Sequence, residues 1–287
     1  MALDCITDVQ NIGASACKQF PQAIESIIKT PLDFTITAED AADVANWQAA
    51  VVLPAAQRIH VFPLAYDFEN LSEEATRASS NLGKEVTIRL GQYRFRLLFR
   101  ENLEIHKAIY SHLGSAGRVF LIDVNKKLIG TSDDGGVTLK GFLLDSFTPE
   151  KIQFGDGSTP SLSPVYMALT NNEELDVNGQ QMRFSTQLIA LKPLVDVTLA
   201  LVGTATATGF VISVKSVYDN VGVLGLLTGD FIKTAGVSAA VFGTDNGDGT
   251  YTFTGAGMTT GTITLDVAAS LGVSAYEAAN VLTVTIV

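Results

Sequence analysis

Three histidines are the first side chains to test for chemistry: His60, His106 and His112. Two histidines on one helix share a metal when they sit four apart on the same face. His106 and His112 are six apart and point in different directions. Asp133 and Asp134 are adjacent in a glycine-rich turn, whereas hydrolysis by paired carboxylates needs them opposed across a cleft. Cys5 and Cys17 are too few for a zinc site of their own. They suit one local disulfide, but Met1 to Gln10 has neither the basic nor the apolar region of a secretory leader, which favours reduced thiols. Asp245 to Gly249 reads DNGDG; the ligand spacing of an EF-hand is missing, and a hairpin turn with glycines at positive φ is the better reading. There is no Walker A segment, no GxGxxG after a strand, no HExxH, no CxxC and no GxSxG elbow. The expectation is a protein that is not an enzyme, with no catalytic, cofactor or metal site.

Composition points towards structure. Of 287 residues 47% are apolar and only 17% are charged, against roughly 25% charged in a typical soluble protein. Low charge with abundant Gly, Thr, Val and Ala suits a β-rich structural protein whose surface is partly covered by neighbours, or else a β-rich monomer. The net charge of −11 argues against a nucleic-acid binder. The one basic cluster, Arg89, Arg94, Arg96 and Arg100, alternates with apolar residues and reads as a solvated or subunit-facing strand surface. An acidic protein can still line a channel that DNA must pass, because it repels DNA. No apolar run approaches the roughly 20 residues of a membrane-crossing helix.

The best-defined stretch runs from Glu85 to Gly130. Val86, Ile88 and Leu90 alternate with Thr87 and Arg89, the pattern of a half-buried strand. After Gly91, Tyr93, Phe95 and Leu97 resume the alternation. Asn102 is a helix N-cap, with Glu104 in the first turn; Ile105, Ile109 and Leu113 make one apolar stripe; Gly114 is placed to end the helix. Val119 to Val124 is the next strand, closed by Asn125, Lys126 and Lys127. One helix laid on a sheet buries both faces.

Around this unit the pattern is less regular. Residues 1 to 33 read as an irregular arm, with one helical turn at Ile24, Ile27 and Ile28 ended by Pro31. Thr37 reads as the N-cap of a helix continuing through Trp47 to Pro54, and Trp47 as a core or interface anchor. Tyr66 to Lys84 is a polar connection, long for a compact domain. It is either a loose insertion or an arm that orders against an adjacent subunit, in which case Glu69, Glu73, Glu74 and Arg77 are its candidate contacts. Strands are expected at Val137 to Gly141, at Val165 to Leu169 and as a pair near Phe184 to Leu191, with turn-rich loops at GDGSTPSLSP and NNEELDVNG.

Composition changes near Pro193. Residues 194–287 hold sixteen threonines, two basic residues (Lys215 and Lys233) and no histidine, cysteine or tryptophan. Strand candidates recur about every ten residues: VTLALVG, GFVISVKSV, VSAAVFG, GTYTFTG, GTITLDV and VLTVTIV. That spacing predicts a small β-sandwich. The expected fold is mainly β, with a sandwich or barrel-type domain over 1–193 carrying one central helix, and an immunoglobulin-like sandwich over 194–287.

This organisation resembles the major tail (tail tube) protein of long-tailed bacteriophages. The resembling stretches are YDFENLSEEATRASSNLGK, the strand–helix–strand unit after it, and GGVTLKGFLLDSF. GFVISVKSVYDN, NGDGTYTFTG and GTITLDV resemble the immunoglobulin-like modules appended to virion proteins. The resemblance implies a virion protein, assembled in the host cytoplasm, that forms stacked hexameric rings around a channel. DNA would pass the lumen unbound, the long loop would bridge rings, and the C-terminal domain would decorate the outside beside other tail proteins. No cofactor and no membrane are implied. The alternatives are a capsid decoration or baseplate protein, or a surface glycan-binding or adhesive protein.

Overall fold

The computed structural model describes residues 22–79, 83–100, 102–183, 191–266 and 275–287. Cys5, Cys17 and the strand pair expected near Phe184 to Leu191 lie outside them, apart from Leu191 itself. The chain divides into two compact units, one ending at Leu191 and the other beginning at Lys192. Both are mainly β.

The strands of the first unit are β1 (Ile24–Thr30), β2 (Ile36–Thr37), β3 (His60–Val61), β4 (Asp67–Asn70), β5 (Thr76–Ser79), β6 (Glu85–Arg89), β7 (Arg94–Phe99), β8 (Arg118–Asp123), β9 (Lys127–Thr131), β10 (Thr138–Leu139), β11 (Phe142–Pro149), β12 (Ser163–Leu169) and β13 (Gly179–Arg183). Its helices are α1 (Val44–Val51), α2 (Leu103–Tyr110) and the single turn α3 (Glu173–Asp176). Nine strands make one sheet, ordered β13-β9-β8-β11-β12-β7-β4, with β1 on the remaining side of β8 and β3 on β1. Every pairing in it is antiparallel. Phe95, Leu97, Phe99, Phe142, Phe147 and Met167 fill the core on one face, and Ile109 of α2 joins them.

Three sequence expectations need correction. Ile24 to Ile28 is not a helical turn but strand β1, paired with β8 from Ile24↔Asp123 to Thr30↔Arg118. Its polar positions are buried too: the Ser26 hydroxyl donates to Phe62 O at 2.9 Å, and Lys29 Nζ to Ser115 Oγ at 2.6 Å. With both faces covered, the period of two disappears from the sequence. Thr37 does not cap a long helix. Its hydroxyl accepts from Asp40 N at 3.0 Å over a short 3₁₀ turn, and α1 begins at Val44, where Asp43 Oδ1 accepts from Ala45 N at 2.9 Å. The long polar connection is not featureless either, since it contributes β4 to the sheet edge beside β7.

Two expectations hold, the first only in part. Asn102 Oδ1 accepts from Ile105 N at 2.9 Å and starts α2, which ends earlier than expected, at Tyr110 with Ser111 as its C-cap; Gly114, at φ +68°, closes the turn that follows, and Leu113 is exposed there instead of joining the apolar stripe. Asn102→Ala is expected to lower stability by about 1 kcal/mol, read as a lower thermal midpoint of the first unit. Trp47 is a core anchor: it is fully buried, its Nε1 donates to Ala41 O at 2.9 Å, and it meets Phe120 edge-on at 5.3 Å.

The second unit contains β14 (Leu194–Thr206), β15 (Gly209–Ser216), β16 (Phe231–Lys233), β17 (Val241–Asp245), β18 (Thr250–Thr254), β19 (Gly261–Leu265), β20 (Ala275–Ala278) and β21 (Leu282–Val284). They form a five-stranded sheet, β17-β18-β15-β14-β20, and a three-stranded sheet, β16-β19-β21. Rings from both sheets meet in the core, with Phe231 edge-on to Phe253 at 5.2 Å and Phe210 stacked on Phe253 at 5.1 Å. The long strand β14 also makes a bridge outside its own sheet, to Ile286 just beyond β21. Its start runs parallel to β20, and past the irregularity at Gly203 (φ +73°) Ala205 bridges to Ile286. Of VSAAVFG, only the last part is strand.

Candidate subunit-facing surface

Strands β5 and β6 pair only with each other, from Thr76↔Arg89 to Ser79↔Glu85, and stand apart from the nine-stranded sheet. Every described residue from Thr76 to Leu90 is exposed. The half-buried strand expected for Val86, Ile88 and Leu90 is therefore corrected: they are 61%, 67% and 66% exposed. Alternation identifies a strand with one apolar face, but it does not say which molecule covers that face. Three aligned large aliphatic side chains on an extended hairpin are a surface that water covers poorly.

The root of the hairpin is closely built. Glu73 N donates to Gln92 O at 3.0 Å, Asn172 Nδ2 donates to Gly91 O, and Gln92 Nε2 donates to Leu169 O at 2.9 Å. A Cβ on Gly91 would lie 1.7 Å from Glu73 O, so only glycine fits. Gly91→Ala is expected to cost about 2 kcal/mol at this crossing and to speed amide exchange in Thr76 to Arg89 while the nine-stranded sheet keeps its protection. Beside the root lies an open cleft of about 410 Å³, lined by Arg89, Leu90, Gln92, Thr170, Asn171 and Glu173 among others.

The four candidate contact residues divide into two pairs. Glu69 binds Arg96 at 3.1 Å, and Glu150 binds the same guanidinium at 2.8 Å. Glu73 binds Arg89 at 2.5 Å and Arg94 at 2.6 Å. These carboxylates fasten β4 and the hairpin root within the chain, and they neutralise most of the basic cluster. Glu74 and Arg77 point outward on the projecting arm; Arg77 lies 3.9 Å from Glu85 across the hairpin, with both side chains about two-thirds exposed. Arg100 is exposed.

Asp133 pairs with Lys140. Asp134 accepts from the Ser132 hydroxyl at 2.7 Å, Val137 N at 3.0 Å and Thr138 N at 2.9 Å, and these bonds, led by that from Thr138, hold its carboxyl down at about 2. The two carboxylates close a turn and do not face one another across a cleft. In DNGDG, Asp245 accepts from Gly225 N at 2.8 Å and Gly247 N at 2.9 Å, and Asp248 from Thr250 N at 2.9 Å. With these oxygens already accepting from backbone N–H groups of the loop and of Gly225, added calcium is expected to move the second unit's thermal midpoint by less than about 1 °C. Among the described residues no group of three or more His, Cys, Asp or Glu side chains could hold a metal, and no helix is long and apolar enough to cross a membrane.

The histidines are not all scattered. His106 Nδ1 lies 2.7 Å from Ser163 Oγ, but His60 and His112 meet with ring centroids 4.5 Å apart. His60 stands on β3 beside β1, in register with Lys29; His112 lies in the turn after α2, against Phe62 and Phe147. Burial first, then the charges of Lys29 and Arg58, push His60 down to about 4; burial, His60 and Lys29 do the same to His112. Nothing in sequence spacing signals this pair, because β3 and the end of α2 meet only through the sheet.

No protein-family model matches the chain, and no curated protein sequence does.

Proposed function

We propose that this chain is a structural subunit that self-assembles into stacked hexameric rings, the tail tube of a long-tailed bacteriophage, with the second unit as an immunoglobulin-like module on the outside. The observation that carries the reading is the projecting β5–β6 hairpin, rooted by Gly91, Gln92 and Asn172 and carrying an uncovered aliphatic face. An aligned aliphatic face left in water favours association with a surface that covers it, and a second copy of the chain supplies one in the tube reading. Strands β4 and β13 lie at the two edges of the sheet path among the described residues, available for pairing between copies. The net charge of −11 suits a lumen that passes DNA without holding it. The mainly β architecture and the low share of charged residues support a structural role.

Sedimentation velocity on the full chain tests this. The expected result is a boundary near six times the 30.4 kDa protomer, followed by larger species as concentration rises. Discrete trimers would favour a capsid decoration or baseplate protein. A monomer that binds glycans would favour the adhesive reading.

A further inference from the structure

The turn between β17 and β18 has a chemistry apart from closing its hairpin. Asn246 precedes Gly247 there, and both are exposed. Glycine carries no side chain to shield its own nitrogen, so a side-chain amide just before it is open to attack from that nitrogen. Gly247 has φ +77°, and beyond its chain neighbours a Cβ placed on it would meet no heavy atom within 4 Å. Gly247 N donates to Asp245 Oδ1 at 2.9 Å. A carboxylate therefore already accepts the proton that must leave before the nitrogen can attack. The Asn246 amide is held on β18. Its Nδ2 donates to Thr250 Oγ1 at 2.8 Å and to Thr252 Oγ1 at 3.2 Å, and the Thr252 hydroxyl lies 3.4 Å from Oδ1. From there it stabilises the oxygen as negative charge builds on it.

The sequence has one other Asn–Gly pair, Asn178–Gly179, and it is built the opposite way. Gly179 opens β13 in register with Thr131, and a Cβ on it would lie 2.2 Å from Leu175 O. Asn178 N donates to Glu173 O, and Asn178 O accepts from Ser132 N, both at 3.0 Å. This pair cannot bring its amide carbon onto the next nitrogen without breaking the end of the ladder.

We infer that Asn246 deamidates spontaneously in the folded protein, with Asp245 as the base, and that Asn178 is spared. Gly247 N gives its proton to Asp245 Oδ1 and bonds to Asn246 Cγ, closing a succinimide ring. The Cγ–Nδ2 bond breaks, and the amide takes up the proton and leaves as ammonia. Water then opens the ring at either carbonyl, leaving aspartate or isoaspartate in place of Asn246; no other reactant is needed. Aspartate adds a charge between Asp245 and Asp248. Isoaspartate lengthens the main chain by a methylene inside the turn, which displaces Asn246 N from Thr250 O, 3.0 Å away. Strand β17 lies at the edge of its sheet, so it is the strand that loosens. None of this rests on the tube reading.

Peptide mapping by mass spectrometry on the full chain held at pH 8 tests it, with a parallel sample in concentrated urea. In urea both Asn–Gly pairs are expected to lose their amides at similar rates. In the folded chain Asn246 is expected to convert about tenfold faster than Asn178 or more, and Asp245→Asn is expected to slow that conversion about tenfold or more. Amide exchange of β17 in the aged protein is expected to rise while β15 keeps its protection. An Asn246 that converts in urea but stays intact in the folded chain would overturn the inference, as would equal rates at the two positions in the folded chain. Conversion at the wild-type rate in Asp245→Asn, with its thermal midpoint unchanged, would overturn the role of Asp245.

Discussion

Ile88→Asp on the outer face of β6 is expected to leave the fold intact and abolish assembly. The side chain is 67% exposed and pairs into no sheet beyond its own hairpin, so the isolated chain loses almost nothing. Its thermal midpoint should move by less than about 2 °C, because surface substitutions fall within roughly 0.5 kcal/mol. Assembly is a different matter. Covering Val86, Ile88 and Leu90 removes much of three aliphatic side chains from water, at roughly 1.5–3 kcal/mol for each full burial. An aspartate at the centre of that patch loses the apolar gain and adds an unpaired charge to a desolvated surface. The expected rise in the concentration needed to assemble is on the order of a hundredfold or more, since each 1.4 kcal/mol is tenfold. Light scattering and sedimentation on wild type and variant give both readings. If Ile88→Asp assembled like wild type, the hairpin face would not be an interface.

Acid should open the first unit before the second. His60 and His112 are held at about 4 in the folded chain, below the ordinary value near 6.5. The unfolded chain therefore binds more protons between those values, and stability falls as pH drops from about 6.5 to about 4. The groups acting on the rings from their surroundings are cations: Lys29 from β1, bonded to Ser115, and Arg58 from the turn before β3, whose Nε donates to Leu53 O at 3.0 Å. Protonating either ring therefore adds like charge to a half-buried site. Discounted for the partial exposure of both rings, the loss for the pair is on the order of 3 kcal/mol at pH 4. No histidine occurs in residues 192–287, so the second unit lacks this term. Hydrogen exchange at pH 7 and pH 4.5, corrected for intrinsic rate, should show α2 and β3 losing protection while β15 and β18 keep theirs. His60→Phe with His112→Phe should flatten the dependence. Equal loss in both units, or no change in the double variant, would place the acid sensitivity elsewhere.

The sequence made legible those elements whose signals are local. Asn102 and Ile109 mark the start and the buried face of α2 by chemistry confined to one helix, whereas Gly114 marks the end of the turn beyond it and not the end of the helix at Tyr110. Phe95 and Leu97 are buried while Arg94 and Arg96 between them are only partly so, which gives the first part of β7 its alternation; at Leu98 both sides are covered and the alternation stops. In β1 the signal was lost because Ser26 and Lys29 are buried with partners that come from elsewhere in the chain. The short strands β16 and β20 escaped because three or four residues carry too little periodicity to read. Val86 and Ile88 lie on a strand, as their alternation indicates, but an exposed one, since pattern alone does not say whether anything covers an apolar face. Glu69 and Glu73 look the same as Glu74 in sequence; only the register of β4 on β7 and the turn at Gly91 bring Arg96, Arg89 and Arg94 to them. The juxtaposition of His60 and His112 had no sequence signal at all.

The central claim is that copies of this chain build a hollow tube, and electron microscopy of the purified full chain tests it most directly. The account predicts six-fold rings stacked into tubes with an open lumen and outer density for the second unit. Solid fibres, or closed particles of another symmetry from a preparation that assembles, would contradict it.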